Sequence, residues 1–182
     1  MSKKPWSITY NAPVVLTFSI LCIVIHIAGD SIKPLFVSHP NMQGPLAYIT
    51  LVSWVLGHAD WNHLFGNLTM ILLLGPILEK EHKTTGIGLM ILVCALVGGC
   101  INSFILKDAV LGASGIVFMF ILLASTANIR QKEIPLTFLA VAFLFLGKEI
   151  VTGLQADNIS QAGHLIGGVV GASFGFLKAN TK

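Results

Sequence analysis

Six stretches of this sequence run nearly free of charge for about 20 residues each, the length a helix needs to cross the hydrocarbon core of a bilayer, and short polar turns separate them. They fall approximately at residues 12–28, 61–79, 84–106, 110–129, 134–152 and 158–177. Such runs leave little choice of fold, because in lipid every backbone N–H and C=O must find its partner inside the protein, as in a helix. The expected class is an all-α polytopic membrane protein, a single domain over residues 1–182 built as a six-transmembrane-helix bundle.

The residue balance agrees. Of 182 residues 54% are hydrophobic and 10% charged, with mean hydropathy +0.83, the composition of a membrane chain rather than a soluble domain. There is no repeat of about 20 to 50 residues and no low-complexity tail, so the functional site is expected within the membrane part. The net charge of +3 is scattered through short loops. It lacks the clustered basic face of a nucleic-acid binder, which excludes that partner. Cys22, Cys94 and Cys100 are odd in number and lie in apolar runs, as small hydrophobes do. The first run is longer than a signal-peptide core and lacks a small-residue cleavage site, so a retained span is expected.

In chain order, Met1 to Tyr10 is a short basic end with Trp6 suited to the interface. Asp30 to Pro45 is a connector broken by Pro34, Pro40, Gly44 and Pro45. Leu46 to Gly57 is apolar yet too short to cross, and reads as an interfacial or re-entrant piece, so the first loop is partly membrane-embedded. Six spans put both termini on one side. The positive-inside rule assigns that side to the cytoplasm, with Lys3, Lys4, Lys80, Lys83, Arg130, Lys132, Lys178 and Lys182 inside against Lys33, Lys107 and Lys148 outside. The second, fourth and sixth spans then enter from the outer face.

Within that topology stands Gly112-Ala113-Ser114-Gly115, a serine among glycines at a helix mouth. Alone it suits close helix packing as well as catalysis. Ser114, however, lies about five residues into the fourth span and His164 about six into the sixth, so both sit roughly 8 to 9 Å below the outer helix ends. Polar groups at such depth are expensive and mark function by default. A serine nucleophile needs a base, and neutral imidazole is the usual one. No Asp or Glu stands at that depth to complete a triad, and Asp108 and Asp157 fall in outer loops. A Ser114–His164 dyad is the expected catalytic pair.

His63 and Asn67, four apart, share a helix face near the outer end of the second span, while His58 precedes the helix start. His58, Asn67 and the Ser114 backbone N–H are the expected oxyanion donors, with His63 supporting the loop that carries His58. Glycines 163, 167, 171 and 175 form one stripe beside His164, a packing surface whose expected partner is the start of the fourth span. A metal on His58, His63 and His164 is not expected, because two-on-one-face spacing and a carboxylate are both missing. No cofactor is expected either. His26, His39 and His82 receive no role in this reading.

These residues resemble the rhomboid family of intramembrane serine proteases. His58-x-x-x-x-His63-x-x-x-Asn67 is similar to the family's second-span signature, Gly112-Ala113-Ser114-Gly115 to its Gly-x-Ser-Gly, and His164-x-x-Gly167-x-x-x-Gly171 to its sixth-span motif. The resemblance implies a rhomboid-like bundle in which Ser114 is nucleophile, His164 is general base, and His58, Asn67 and the Ser114 amide bind the oxyanion. Gly112, Gly115, Gly167 and Gly171 support them, and Glu79 also matches a family position. It further implies transmembrane protein substrates cut near the outer face, and a fifth-span gate of Phe138, Phe143 and Phe145. The six-span form implies a bacterial cytoplasmic membrane. Three departures stand out: a missing Trp-Arg pair in the first loop, Gly163 in place of Ala, and Phe118 in place of Tyr.

Two rival classes follow from the same features. A catalytically silent rhomboid-like binder of transmembrane clients would keep its function without Ser114. A small transporter would carry ionisable groups or broken helices at the midplane, whereas the polar groups here lie near the outer end.

Overall fold

The computed structural model describes residues 6–40, 44–106, 109–126, 134–154 and 161–179, and its named elements are all helical. Helix α1 (Pro13–Ala28) opens on a proline, whose missing N–H is no loss at a first helical position, and closes at Gly29, φ 74°. Its N-cap, Ala12, offers no side-chain oxygen. The cap comes from far along the chain instead: the buried Glu79 carboxylate accepts the N–H groups of Val14 at 3.1 Å and Val15 at 3.0 Å. A carboxylate at a helix N-terminus satisfies orphan donors and meets the positive end of the helix dipole. Glu79→Ala is therefore expected to destabilise the fold by about 2 to 4 kcal/mol, since two largely buried amides lose their acceptor. Chemical or thermal unfolding in detergent measures it.

Two short 3₁₀ turns, Gly29–Ser31 and Lys33–Phe36, lead to α2 (Pro45–Ser53), which runs into a third, Trp54–Leu56. Leu46, Tyr48 and Ile49 face outward while Leu51, Trp54 and Val55 are buried. This is the short apolar piece expected in the first loop. The Trp54 indole donates to the Ala95 carbonyl at 2.9 Å, and its ring lies where a side chain on Gly98 would come within 2.8 Å.

Helix α3 (Trp61–Ile101) starts at Asp60, whose carboxylate accepts the His63 N–H at 2.8 Å. Its 41 residues would reach roughly 60 Å if straight, twice the hydrocarbon thickness. They do not run straight, because Lys83 adopts φ 65° and ψ 158° and breaks the helix. The start of α1 meets both Glu79 and Gly88, and the start of the serine-bearing helix meets both His63 and Cys94. The chain thus doubles back at Lys83. The polar turn expected between the second and third runs, at 80–83, shrinks to that one residue: helix continues through 82, and Glu79, the last residue of the second run, is an internal acceptor. Past α3, Asn102–Leu106 forms a π-helical end.

The approach to α4 (Ser114–Ser125) is irregular, with one isolated antiparallel bridge between Ser38 and Val110. Ser38 and Val110 exchange backbone bonds of 2.9 and 3.1 Å, the Gly112 N–H bonds the Trp54 carbonyl at 3.0 Å, and Gly112 takes φ 130°. These contacts correct the expected fourth span: residues 110–113 are not helical, and Ser114 is the first helical residue rather than one lying a turn inside. Helices α5 (Leu136–Leu154) and α6 (Gln161–Ala179) complete the order. His164 accordingly sits three residues past the start of α6. Residues 127–129 and 158–160 of the expected spans, together with Asp108, Asp157, Lys3, Lys4, Lys107, Arg130, Lys132 and Lys182, lie outside the described residues.

Around a largely hydrophobic core, the exterior is apolar as well. Ile20, Val24, Ile27, Leu73, Ile77, Leu89, Phe143 and Val169 face outward, while Ser19, Asn67, Glu79, Asn102, Thr126 and His164 are buried. Polar groups gathered inside an apolar exterior are what a bilayer requires. Among the described residues, two helical stretches, Pro13–Ser31 and Trp61–Leu106, are long and apolar enough to cross a membrane, the second containing the Lys83 break.

Candidate active site

Ser114 owes its position to the end of a non-helical segment and the start of a helix. As first residue of α4 it leaves its own N–H and those of Gly115 and Ile116 without intrahelical acceptors, since the first backbone bond into Ala113 comes from Val117. Unsatisfied amides at a helix N-terminus favour negative charge. Ala113 supplies no side-chain cap that would compete for them.

The α4–α6 interface then brings His164 to this turn. A methyl on Gly115 would lie 3.0 Å from the Gly163 carbonyl oxygen, and one on Gly167 would overlap the Gly115 carbonyl. Further along, a methyl on Gly171 would overlap the Met119 carbonyl, and one on Gly175 the Thr126 side chain. The glycine stripe of the sixth run thus lies against the backbone of α4. His164 is buried and stacks on Phe118 at 4.4 Å between ring centres, tilted by 46°. Phe118 stands one turn after Ser114 on the same helix face, so the imidazole lies on the serine's side of α4.

Ser114, His164, Phe118, His63, Asn67 and Trp54 line one cavity of about 580 Å³. His63 approaches Gly112 so closely that a methyl there would come within 2.7 Å of the imidazole carbon Cε1 and 2.8 Å of Nε2. Asn67 is buried, and its Nδ2 has no protein partner among the described residues. An amide donor left unpaired inside a protein is costly unless something fills it. A developing oxyanion in the cavity would do so.

His58 is the departure. It lines a separate, smaller cavity, its Nδ1 lies 3.2 Å from the Leu56 carbonyl, and its ring meets His63 edge on at 5.1 Å. The backbone of Gly57, pressed against the Phe36 carbonyl, holds the connector in that place. Because a carbonyl only accepts, Nδ1 carries the hydrogen and neutral His58 has no donor left at Nε2. Burial, reinforced by neighbouring His63, pushes its pKa down to about 4, so the ring is neutral at pH 7. The pocket-facing histidine is His63. The signal for this was present in the sequence, because His63 and not His58 shares a helix face with Asn67. Trp54 in the cavity wall had no such signal. At the mouth, the exposed Asp60 carboxyl is held below its usual range, chiefly by the His63 N–H.

Of the remaining expected groups, Phe138 packs edge on against Phe176 at 5.3 Å and Phe143 is exposed, while the Phe145 side chain lies outside those described. Among the described residues no group of three or more His, Cys, Asp or Glu side chains is arranged to hold a metal ion.

Comparison with known proteins gives matching results. A family model described as the Rhomboid domain matches residues 45–181. Rhomboid-related protein 1 of Caenorhabditis elegans is 30% identical over 169 residues, covering 86% of this chain and 46% of that protein. Rhomboid-related protein 2 of Mus musculus is 30% identical over 159 residues, covering 74% and 52%. The chain thus spans about half the length of these two relatives. The rhomboid protease GlpG of Haemophilus influenzae is 19% identical over 177 residues, covering 93% of this chain and 92% of its own.

Proposed function

Because the chain belongs to the rhomboid family of integral membrane proteins, we propose that it is an intramembrane serine endopeptidase acting on transmembrane segments of other membrane proteins near the outer membrane face. The observation that carries this reading is the cavity shared by Ser114, His164, His63 and Asn67. With it go a six-span bundle, both termini in the cytoplasm and residence in a bacterial inner membrane, supported by the six apolar runs and the asymmetry of Lys and Arg.

In the proposed reaction the Ser114 Oγ attacks the scissile carbonyl while His164 takes its proton. Negative charge forming on the carbonyl oxygen is met by the Asn67 amide, the His63 ring and the Ser114 backbone N–H. Each such donor is worth about 10² to 10³ in rate. His164 then protonates the leaving amine, and the ester on Ser114 awaits water. Phe118 holds the imidazole between these two transfers.

The test is covalent labelling in detergent by a fluorophosphonate, which needs no knowledge of the substrate. The expected result is one label per chain, mapped to Ser114, with labelling lost in His164→Ala and slowed about 10²-fold in Asn67→Ala. A folded wild type that stays unlabelled, under conditions that label a known serine protease of this family, would sink the proposal.

A further inference from the structure

Gly112 is buried two residues before Ser114, and its φ of 130° is one that glycine adopts freely. Its N–H donates to the Trp54 carbonyl at 3.0 Å. That carbonyl also accepts the Gly57 N–H at 3.2 Å, which closes the 3₁₀ turn. Its two lone pairs thus serve the first loop and the serine's approach segment at once. A buried amide gives up its acceptor only at a cost, so Gly112 follows wherever the Trp54 backbone sits.

The Trp54 backbone is in turn fixed by its own side chain. Leu46, Tyr48 and Ile49 face outward, so α2 and the turn after it are held by the opposite face. There the buried indole donates to the Ala95 carbonyl at 2.9 Å. Its carbons Cζ2 and Cη2 lie 2.8 and 3.4 Å from the place that a methyl on Gly98 would take. One residue on, a methyl on Gly99 would overlap the Leu51 carbonyl. Glycine is a poor residue inside a helix; here two in a row let the first loop lie directly on α3.

We propose that Trp54 is a positioning residue for the nucleophile: its indole, seated on Ala95 and Gly98, sets the carbonyl that holds Gly112 and with it the turn that presents Ser114. A shift of Gly112 carries the Ser114 hydroxyl and backbone N–H along, while His63 and Asn67 stay behind on α3. Trp54 and Gly98 act only through Gly112 and take no part in bond making. The effect on rate rests on the serine-protease reading above; the mechanical link does not.

The experiment uses the full chain in detergent and compares wild type, Trp54→Phe, Gly98→Ala and the double variant. Phenylalanine keeps an apolar ring but removes the indole N–H and the outer part of the ring system. Alanine at 98 suits a helix, and the closest atoms to its methyl belong to the indole. Hydrogen exchange over residues 110–113, read by mass spectrometry, is expected to run severalfold faster in each single variant. Phosphonate labelling of Ser114 should slow about tenfold in each. Hydrolysis of a transmembrane reporter should lose kcat by the same factor, with KM held within about twofold. In the double variant the methyl no longer meets an indole, so Gly98→Ala is expected to add nothing to the loss seen in Trp54→Phe.

Wild-type labelling and exchange in Gly98→Ala would overturn the proposal, because the ring would have been displaced without moving Gly112. Additive losses in the double variant would overturn it as well, since the two residues would then act by separate routes. A loss of labelling matched by a fall in the unfolding midpoint, in both single variants, would reduce Trp54 to a packing residue. If the wild type itself resists labelling, the protease reading fails and the rate effect with it, while exchange over residues 110–113 still decides the link.

Discussion

Replacing Ser114 with alanine is expected to lower peptide-bond hydrolysis by about 10⁵-fold or more while leaving the helical fold intact. The size follows from what is removed: no other hydroxyl or thiol among the described residues lines the cavity, and water in its place would have to attack without a covalent step. The fold should tolerate the change because Ser114 is a half-exposed first helical residue whose side chain caps nothing, and alanine is a good helix former. Hydrolysis of a transmembrane reporter in vesicles measures the rate, and circular dichroism checks the helices. The variant should still retain the uncleaved reporter on co-purification. A variant that goes on cutting would move the nucleophile elsewhere; a wild type that retains the reporter without cutting it would favour a client-binding function.

The parts of the fold legible in the sequence were those dictated by local pattern. The apolar runs became helices because lipid leaves the backbone no other partner, and three motifs far apart in sequence line one cavity. The glycine stripe at 163, 167, 171 and 175 could be read because a period of four marks a face wherever the helix begins. What could not be read depends on contacts between distant residues. The start of α4 at Ser114 is set by Ser38 and Trp54 bonding the segment before it, and nothing within residues 110–113 announces that. Glu79 ends the second apolar run beside Lys80, Glu81 and Lys83, with nothing local to give it a partner. Its role as the cap of α1 appears only when Val14 and Val15 are brought beside it. His58 is a mixed case: that it lies off the helix face shared by His63 and Asn67 was legible, while its place against Phe36 and Leu56 was not.

Gly167→Ala is expected to cost about 1 to 3 kcal/mol of stability and to slow both labelling and hydrolysis by on the order of 10²-fold. The added methyl would overlap the backbone carbonyl of Gly115. A carbonyl fixed in a helix cannot swing aside as a flexible side chain could, so α4 and α6 must separate. That movement would displace Ser114 and His164, the proposed nucleophile and base lining one cavity, and a shift of about 1 Å would be enough to spoil the proposed proton transfer. Gly66 provides the contrast: it lies in α3 with nothing within 4 Å of the added methyl. There, alanine is expected to raise stability by up to about 1 kcal/mol and leave labelling unchanged. Unfolding midpoints in detergent and phosphonate labelling rates, measured on both variants, separate the two effects. Should Gly167→Ala label at the wild-type rate, the close approach of α4 and α6 is not what aligns the proposed dyad.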